Sequence, residues 1–188
     1  MQLEKFTFEV TGISPILMNN PAYMAQRPTG RTNVKTIPTP EEEAKRSLYR
    51  RDNGTLYGPA FGFRSGILEA AKGRRIGKKA ANVILSGAVF CLEEEVSLYH
   101  PKTRKPITDK HYIIDSRRCV LKGKDGIIRS RAKIMEWACD VTFEVDSELV
   151  DIRIIEEIFQ LAGKIIGYLD YRPQKKGFFG RYEVKLKK

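Results

Sequence analysis

The segment Asp151–Tyr182 reads DIRIIEEIFQLAGKIIGYLDYRPQKKGFFGRY and joins the clearest helix of the chain to a glycine-rich connection. Apolar residues recur at helical spacing, Asp151 is a good N-cap and Gly167 ends the pattern, which predicts a helix over residues 152–166. No strand precedes the glycines, so this is not a dinucleotide-binding fingerprint. A helix, a glycine-rich connection and a last strand in this order indicate an α+β domain.

The glycine-rich connection, residues 163–182, combines two features that suit a bound nucleic acid. Glycines let backbone amides approach phosphates closely, and aromatic side chains offer faces on which unpaired bases stack. We predict stacking roles for Tyr168, Tyr171 and Phe178. The alternative is that the aromatic residues near the end of the segment belong to the core and edge of the last strand, and some of them must.

The remaining chain alternates strands and helices. Strands are predicted at 3–10, 87–99, 136–145 and 178–187, and a further helix at 63–82, which its internal glycines weaken. Two strand-like runs, 111–121 and 127–134, flank an Asp-Gly turn and predict a β-hairpin. A polar, proline-rich loop occupies residues 19–40 and leads into a short helix at 41–52.

Two segments interrupt an otherwise regular order of elements. When the loop and helix at 19–54 and the hairpin at 107–134 are set aside as insertions, the order is β-α-β-β-α-β. That order predicts a ferredoxin-like core, the plan that RRM domains share. With 188 residues, we expect a single RRM-like domain over residues 1–188.

The chain carries 34 Lys and Arg against 23 Asp and Glu, a formal charge of +11. Such an excess predicts a polyanionic partner, of which nucleic acid is the commonest and an anionic membrane surface the competitor. No apolar run approaches the roughly 20 residues that span a bilayer, and the N-terminus does not resemble a signal peptide. We therefore expect no membrane association. Solubility alone remains the alternative explanation of the charge.

The positive charge is clustered rather than spread. The cluster around the helix predicted at 63–82 contains Arg64, Lys72, Arg74, Arg75, Lys78 and Lys79. The hairpin cluster contains Arg117, Arg118, Lys122, Lys124, Arg129, Arg131 and Lys133. The C-terminal cluster contains Arg172, Lys175, Lys176 and Arg181. Each can neutralise phosphates, with affinity arising largely from counterion release. A solvated charged face is the alternative, although acids are scarce among these residues.

Three segments resemble the RAMP superfamily, in particular the backbone subunits of CRISPR effector complexes: GISPILM at 12–18, YGPAFGFRSGILEAA at 57–71 and GFFGRY at 177–182. The resemblance implies an RRM-like palm, a projecting hairpin thumb at 111–134 and head-to-tail assembly along a strand. It also implies a basic residue of the first helix facing the RNA backbone. The chain departs from the family in being short, and in having Phe61 and Gly62 where small polar residues are more typical.

The chemistry of a nuclease is poorly represented. Cys91, Cys119 and Cys139 form no CxxC pair, so we expect neither a disulfide framework nor a zinc site. Free cysteines suit a reducing compartment, and we expect the protein in one. His100 and His111 have no recognisable partner in the sequence. We therefore expect a protein that is not an enzyme and uses no metal or cofactor. We expect it in the cytoplasm of a bacterial or archaeal cell, and it is also similar to proteins that phages encode.

The sequence thus predicts a sequence-tolerant binder of single-stranded DNA or RNA that self-associates into a homo-oligomer or filament. We expect the binding groove between the first helix, the glycine-rich segment and the hairpin. The alternatives are a RAMP-type endoribonuclease, a CRISPR effector backbone subunit that binds guide RNA, and an assembly subunit whose basic surface faces an acidic protein. The sequence does not separate DNA from RNA.

Overall fold

The computed structural model describes residues 2–22, 38–120 and 126–187. Lys122 and Lys124 of the hairpin cluster lie outside the described residues, as do residues 23–37 of the predicted N-terminal insertion.

Fifteen helices and strands are found along the described chain. They are β1 (Leu3–Gly12), β2 (Ile16–Leu17), α1 (Pro40–Arg46), β3 (Tyr57–Pro59), α2 (Phe61–Ala70), β4 (Arg75–Ile76), β5 (Lys79–Ala80), α3 (Ala81–Ala88), β6 (Val89–Cys91), β7 (Glu95–Ser97), β8 (Ile113–Val120), β9 (Gly126–Ile134), β10 (Ala138–Asp146), α4 (Ile152–Ile165) and β11 (Tyr182–Leu186). A 3-10 turn at Pro173–Lys175 precedes the last strand. None of the described helices is long and apolar enough to cross a bilayer.

The largest sheet has four strands in the order β11-β1-β10-β6, with every neighbouring pair antiparallel. Along the chain, α2 and α3 separate β1 from β6, and α4 separates β10 from β11. The prediction of an α+β domain is confirmed.

Aromatic side chains join this sheet to its helices. Phe159 of α4 is edge-on to Phe8 of β1 at 5.4 Å between ring centres and to Phe143 of β10 at 5.7 Å. Phe63 of α2 packs against the same ring at 5.9 Å. All four side chains are fully buried, which places the core between the helices and one face of the sheet.

The predicted hairpin is present as β8 and β9, and β2 extends it into a three-stranded sheet. Asp115 pairs with Arg131 and Arg117 with Arg129 across the two strands. Because side chains alternate along a strand, one surface of the hairpin, here called the charged face, collects the charged residues. It consists of Asp115, Arg117, Arg129, Arg131 and Lys133.

Helix α1 takes the place of a further strand beside β9. The Ser130 amide donates to Glu43 Oε2 at 2.8 Å, and the Ala132 amide donates to Ser47 Oγ at 2.9 Å. Thr39 and Glu42 form a capping box at the start of the helix, as its sequence favours. The inserted segment is therefore attached to the hairpin through side chains that satisfy the backbone of β9.

Several predicted boundaries were wrong. The helix predicted at 63–82 is broken, because positive φ angles at Gly73 (78°) and Gly77 (58°) lead the chain into the short ribbon β4–β5. The strand predicted at 87–99 begins inside α3 and then divides into β6 and β7. The helix predicted at 41–52 ends at Arg46.

Candidate nucleic-acid interface

The glycine-rich loop, residues 167–181, connects α4 to β11 and is folded tightly on itself. A side chain at Gly180 would place its Cβ 1.9 Å from the Tyr168 carbonyl oxygen, and its φ is +68°. Three residues with side chains, Leu169, Tyr171 and Lys176, also have positive φ angles of 52° to 61°. Such backbone costs about 1–3 kcal/mol per residue and is concentrated at functional sites.

Tyr168, which we predicted to stack on bases, belongs to the core. Its side chain is 2% exposed, and its ring is stacked on Phe63 at 3.9 Å and lies 5.7 Å from Trp137. Its hydroxyl donates to the Pro59 carbonyl oxygen at 3.1 Å, and burial raises the pKa of the phenol well above its usual value. A base could not reach this ring without opening the core.

The other two predicted stacking residues surround an arginine of the hairpin. The Arg117 guanidinium lies 5.1 Å from the ring centre of Phe178 and 5.5 Å from that of Tyr171. It lies closest to Phe179, at 4.7 Å. Phe179 is buried and Tyr171 half-buried, whereas Phe178 is 57% exposed, so of the three rings it is the most accessible to a base.

A second contact joins the charged face of the hairpin to the glycine-rich loop. Arg131 Nε lies 3.0 Å from Asp170 Oδ2, and the arginine side chain is 13% exposed. The pair is in ionic contact without the alignment of a hydrogen bond, and Arg131 Nη1 is buried without a hydrogen-bond partner among the described residues. A buried guanidinium nitrogen without a partner carries a desolvation cost, so this contact is not one of ideal geometry.

Each cation of the charged face is paired with a carboxylate. Asp115 binds Arg117, with one hydrogen bond at 3.0 Å, and also accepts from Lys133 at 3.3 Å. Arg129 donates to Glu43 of α1 at 2.6 Å. Four cations (Arg117, Arg129, Arg131 and Lys133) therefore face three carboxylates (Asp115, Glu43 and Asp170), a formal excess of one positive charge.

The carboxyl of Asp115 is ionised within this network. Burial opposes its ionisation, but the hydrogen bonds and charges of Arg117 and Lys133 outweigh burial and hold the pKa of Asp115 below its usual value. The charged face is therefore an organised ionic surface rather than an array of free cations.

Three other predicted cations have structural partners. Arg64 donates to the carbonyl oxygens of Val89 at 2.6 Å and Ser86 at 2.7 Å. Arg172 donates to the Leu169 carbonyl oxygen at 2.8 Å. Lys72 forms an exposed ion pair with Glu69, which lowers the pKa of that carboxyl mainly through its hydrogen bond.

The remaining predicted cations are exposed and form no ion pair among the described residues. They are Arg74, Arg75, Lys78 and Lys79 on and beside the β4–β5 ribbon, Arg118 on the hairpin surface opposite the charged face, and Lys175, Lys176 and Arg181 of the glycine-rich loop. We call these the free cations. They are the side chains best able to exchange counterions for phosphates.

A cleft of about 470 Å³ separates the start of α2 from the glycine-rich loop. Phe61 and Ser65 line it on the helix side, and Leu169, Asp170 and Arg172 on the loop side. Helix α2 has no side-chain cap, and the Phe63 amide of its first turn donates to the Ala60 carbonyl oxygen at 3.0 Å. Phe61 is 66% exposed at this cleft, so a base could stack on its ring. From the sequence we noted Phe61 only as a departure from the family pattern and did not predict this role.

The open face of the main sheet is poorly suited to phosphate. Glu9 pairs with Asp140 across the two central strands. Tyr99 donates to Asp140 at 2.7 Å, and Arg104 contacts both carboxylates. Burial and the Asp140 carboxylate raise the pKa of Tyr99. These side chains occupy the surface that stacks bases in RRM domains, so the groove on the helix side is the better interface.

The histidines have partners that the sequence did not reveal. His100 Nε2 lies 2.9 Å from Glu136 Oε2, and His111 Nδ1 contacts Thr108. Within residues 2–22, 38–120 and 126–187, no group of three or more His, Cys, Asp and Glu could hold a metal ion.

No family model matches the chain, and no curated protein matches its sequence. Solved structures do match. A chain in the cryo-EM structure of the Type III-B Cmr-beta bound to cognate target RNA is 12% identical, with a TM-score of 0.57, over 99% of this chain and 60% of that chain. Cmr6 from Pyrococcus furiosus is 13% identical, with a TM-score of 0.49, over 98% and 100% of the two chains.

The likeness to the Cmr-beta chain is one of fold. This chain spans 60% of the length of that relative. The resemblance to RAMP proteins inferred from the sequence is confirmed at the level of the fold.

Proposed function

We propose that the protein is a RAMP-type subunit of a CRISPR effector complex that binds single-stranded RNA through its phosphate backbone, without catalysis and with little dependence on sequence. The observation that carries this proposal is the contact between the charged face of the hairpin and the glycine-rich loop. It fixes the glycine-rich loop, which carries the free cations Lys175, Lys176 and Arg181, between the hairpin and the cleft at the start of α2.

The proposed path of the strand follows from the division of the cations. The Arg131–Asp170 pair and the contact of Arg117 with the Phe179 ring hold the hairpin against the loop, so they fix the shape of the groove. The free cations Lys175, Lys176 and Arg181 are on the loop that borders this groove and neutralise the phosphates. Exposed Phe61 and Phe178 are the aromatic faces on which unpaired bases stack.

For the main sheet and its helices we propose the ferredoxin-like arrangement. The strand order β11-β1-β10-β6 and the β-α-β-β-α-β succession support it. The Cmr-beta complex that contains the similar chain is bound to target RNA, which favours RNA over DNA for this chain as well. Self-association into a homo-oligomer or filament along the strand completes the proposal and predicts cooperative binding.

Fluorescence anisotropy of labelled single-stranded RNA and DNA across a salt series tests this function. We expect submicromolar binding at low salt and a log–log slope of about −0.7 per phosphate neutralised. RNA should bind at least as tightly as DNA. An absence of binding to both oligonucleotides at low salt would exclude the proposal.

An endoribonuclease is the second candidate, because both histidines and Glu136 line one cavity. It predicts that the purified protein cuts RNA without added metal and that His111→Ala abolishes cutting. RNA that stays intact after prolonged incubation would dismiss this candidate while leaving RNA binding untouched.

A further inference from the structure

A second cavity, of about 340 Å³, lies at the base of the hairpin, away from the cleft at α2. Ile107 and Ile134, which are 4% and 1% exposed, supply buried apolar lining, and Met135 is 53% exposed beside them. His100, His111 and Glu136 supply polar groups to the lining. The cavity thus combines apolar walls with a small number of polar groups, as small-molecule sites do.

Hydrogen bonds fix the protons on both imidazole rings. His100 Nδ1 accepts from the amides of Lys102 at 3.2 Å and Thr103 at 3.4 Å, so its proton is on Nε2 and is donated to Glu136 at 2.9 Å. His111 Nδ1 accepts from the Thr108 amide at 3.1 Å, so its Nε2 also carries a proton.

The polar groups of the cavity therefore have defined and opposite roles. Glu136 accepts one hydrogen bond from His100 and keeps further acceptor positions, since a carboxylate offers about four. His111 offers an N–H donor. This arrangement favours binding over catalysis, because both ring nitrogens of His100 are already engaged with the protein.

We infer that this cavity binds a nucleobase, and that guanine fits it best. The flat base fits against the apolar walls and imidazoles. Its adjacent N1–H and N2–H groups suit the Glu136 carboxylate, and its O6 suits the N–H donor of His111. No other common base presents two neighbouring donors and an acceptor on the same edge.

The inference rests on the proposed function for the source of the base. Ile134 of the cavity follows Lys133 of the charged face, but side chains alternate along β9, so the cavity opens at the base of the hairpin on the other side of the strand, and an RNA strand reaches it by passing around that base. Lys105, also at the cavity, can contact the phosphate beside the inserted base. Backbone contacts then give tolerance of sequence, and this cavity adds a preference at one position.

The test compares four RNA oligomers of uridine that differ only in one central nucleotide: uridine, adenosine, guanosine or inosine. We expect the guanosine oligomer to bind about tenfold more tightly than the uridine oligomer. Inosine lacks the N2 amino group and should lose most of this gain. Glu136→Gln should remove the guanosine preference, so that this variant binds the guanosine and uridine oligomers with equal dissociation constants. The control Glu94→Gln changes an exposed carboxylate elsewhere and should keep the preference.

Equal dissociation constants for the four oligomers would overturn the base pocket while leaving backbone binding intact. If no oligomer binds, the proposed function fails, and the pocket is then tested separately with free guanosine monophosphate. Shifts of the Met135 methyl resonance on adding guanosine but not uridine monophosphate would then support the pocket. Identical or absent shifts with the two nucleotides would overturn it.

Discussion

The guanidinium of Arg117 lies 4.7 Å from the centre of the Phe179 ring, and this contact joins the hairpin to the glycine-rich loop. Arg117 is also bound to Asp115, so its charge is shared between a carboxylate and aromatic faces. A cation–π contact of this kind is worth about 0.5–2 kcal/mol, depending on how far it is desolvated. The hairpin is therefore held against the loop, and the two form one side of the proposed groove.

The free cations of the loop should be needed for affinity but not for folding. We expect Lys175→Ala with Lys176→Ala to weaken RNA binding and to reduce the salt slope by about 0.7 for each phosphate that is no longer neutralised. The melting temperature should stay within about 4 °C of the wild type, because each surface substitution without a partner changes stability by about 0.5 kcal/mol or less. Arg153→Ala, an exposed cation on α4, is the control and should bind RNA normally.

The paired cations should behave differently. If Arg129, Arg131 and Lys133 contributed charge alone, reversing them to Glu would weaken binding without unfolding the protein. The ion pairs lead us to expect that Arg131→Ala also lowers the free energy of unfolding by about 2–4 kcal/mol, because it leaves Asp170 partly buried without its partner.

A double-mutant cycle measures this coupling by urea unfolding. Asp170→Ala together with Arg131→Ala should cost less than the sum of the two single changes. Additive costs would show that the two side chains are not coupled, and that Arg131 does not stabilise the fold through Asp170.

Substitutions of Tyr168 and Phe178, both predicted to stack on bases, should have different effects: one on stability and the other on RNA binding. We expect Tyr168→Ala to destabilise the fold by about 3–5 kcal/mol, since its ring fills the core against Phe63. Phe178→Ala should leave stability nearly unchanged and weaken RNA binding by about 1–3 kcal/mol. Thermal melts and anisotropy measured on both variants check this, and a Phe178→Ala protein with wild-type affinity would remove that ring from the interface.

Acid should weaken the hairpin through Asp115. Its pKa is lower in the folded protein than in the unfolded chain, so its ionisation stabilises the fold above the unfolded value, and that contribution is lost as the pH falls through the folded value. We expect the loss as the pH falls below about 4, the ordinary pKa of an aspartate, measured by chemical unfolding. Asp115→Asn should flatten this limb of the stability curve, whereas Asp52→Asn, an exposed control, should not.

Local periodicity was enough to predict much of the fold. Helix α4, the hairpin and the strand β10 all follow from apolar residues at regular spacing and from the Asp-Gly turn. The glycines of the predicted helix at 63–82 indicated that it is weak, and the helix ends at Ala70. The β4–β5 ribbon that follows was not predicted.

The partners of the charged residues could not be predicted in this way. Glu43 and Arg129 are 86 positions apart in the sequence, and only the fold brings the two side chains together. Tyr168 was misjudged for the same reason, since nothing in its neighbourhood in the sequence shows that Phe63 and Trp137 cover its ring.

The central claim is that RNA lies in the groove that the hairpin and the glycine-rich loop together border on one side, beside the cleft at α2. Photocrosslinking of the protein to 4-thiouridine RNA, followed by mass spectrometry of the joined peptides, tests it most directly. We predict crosslinks within residues 57–71 and 167–181, centred on Phe61 and Phe178. Crosslinks confined to the open sheet face around Phe90 and Tyr99 would contradict the account.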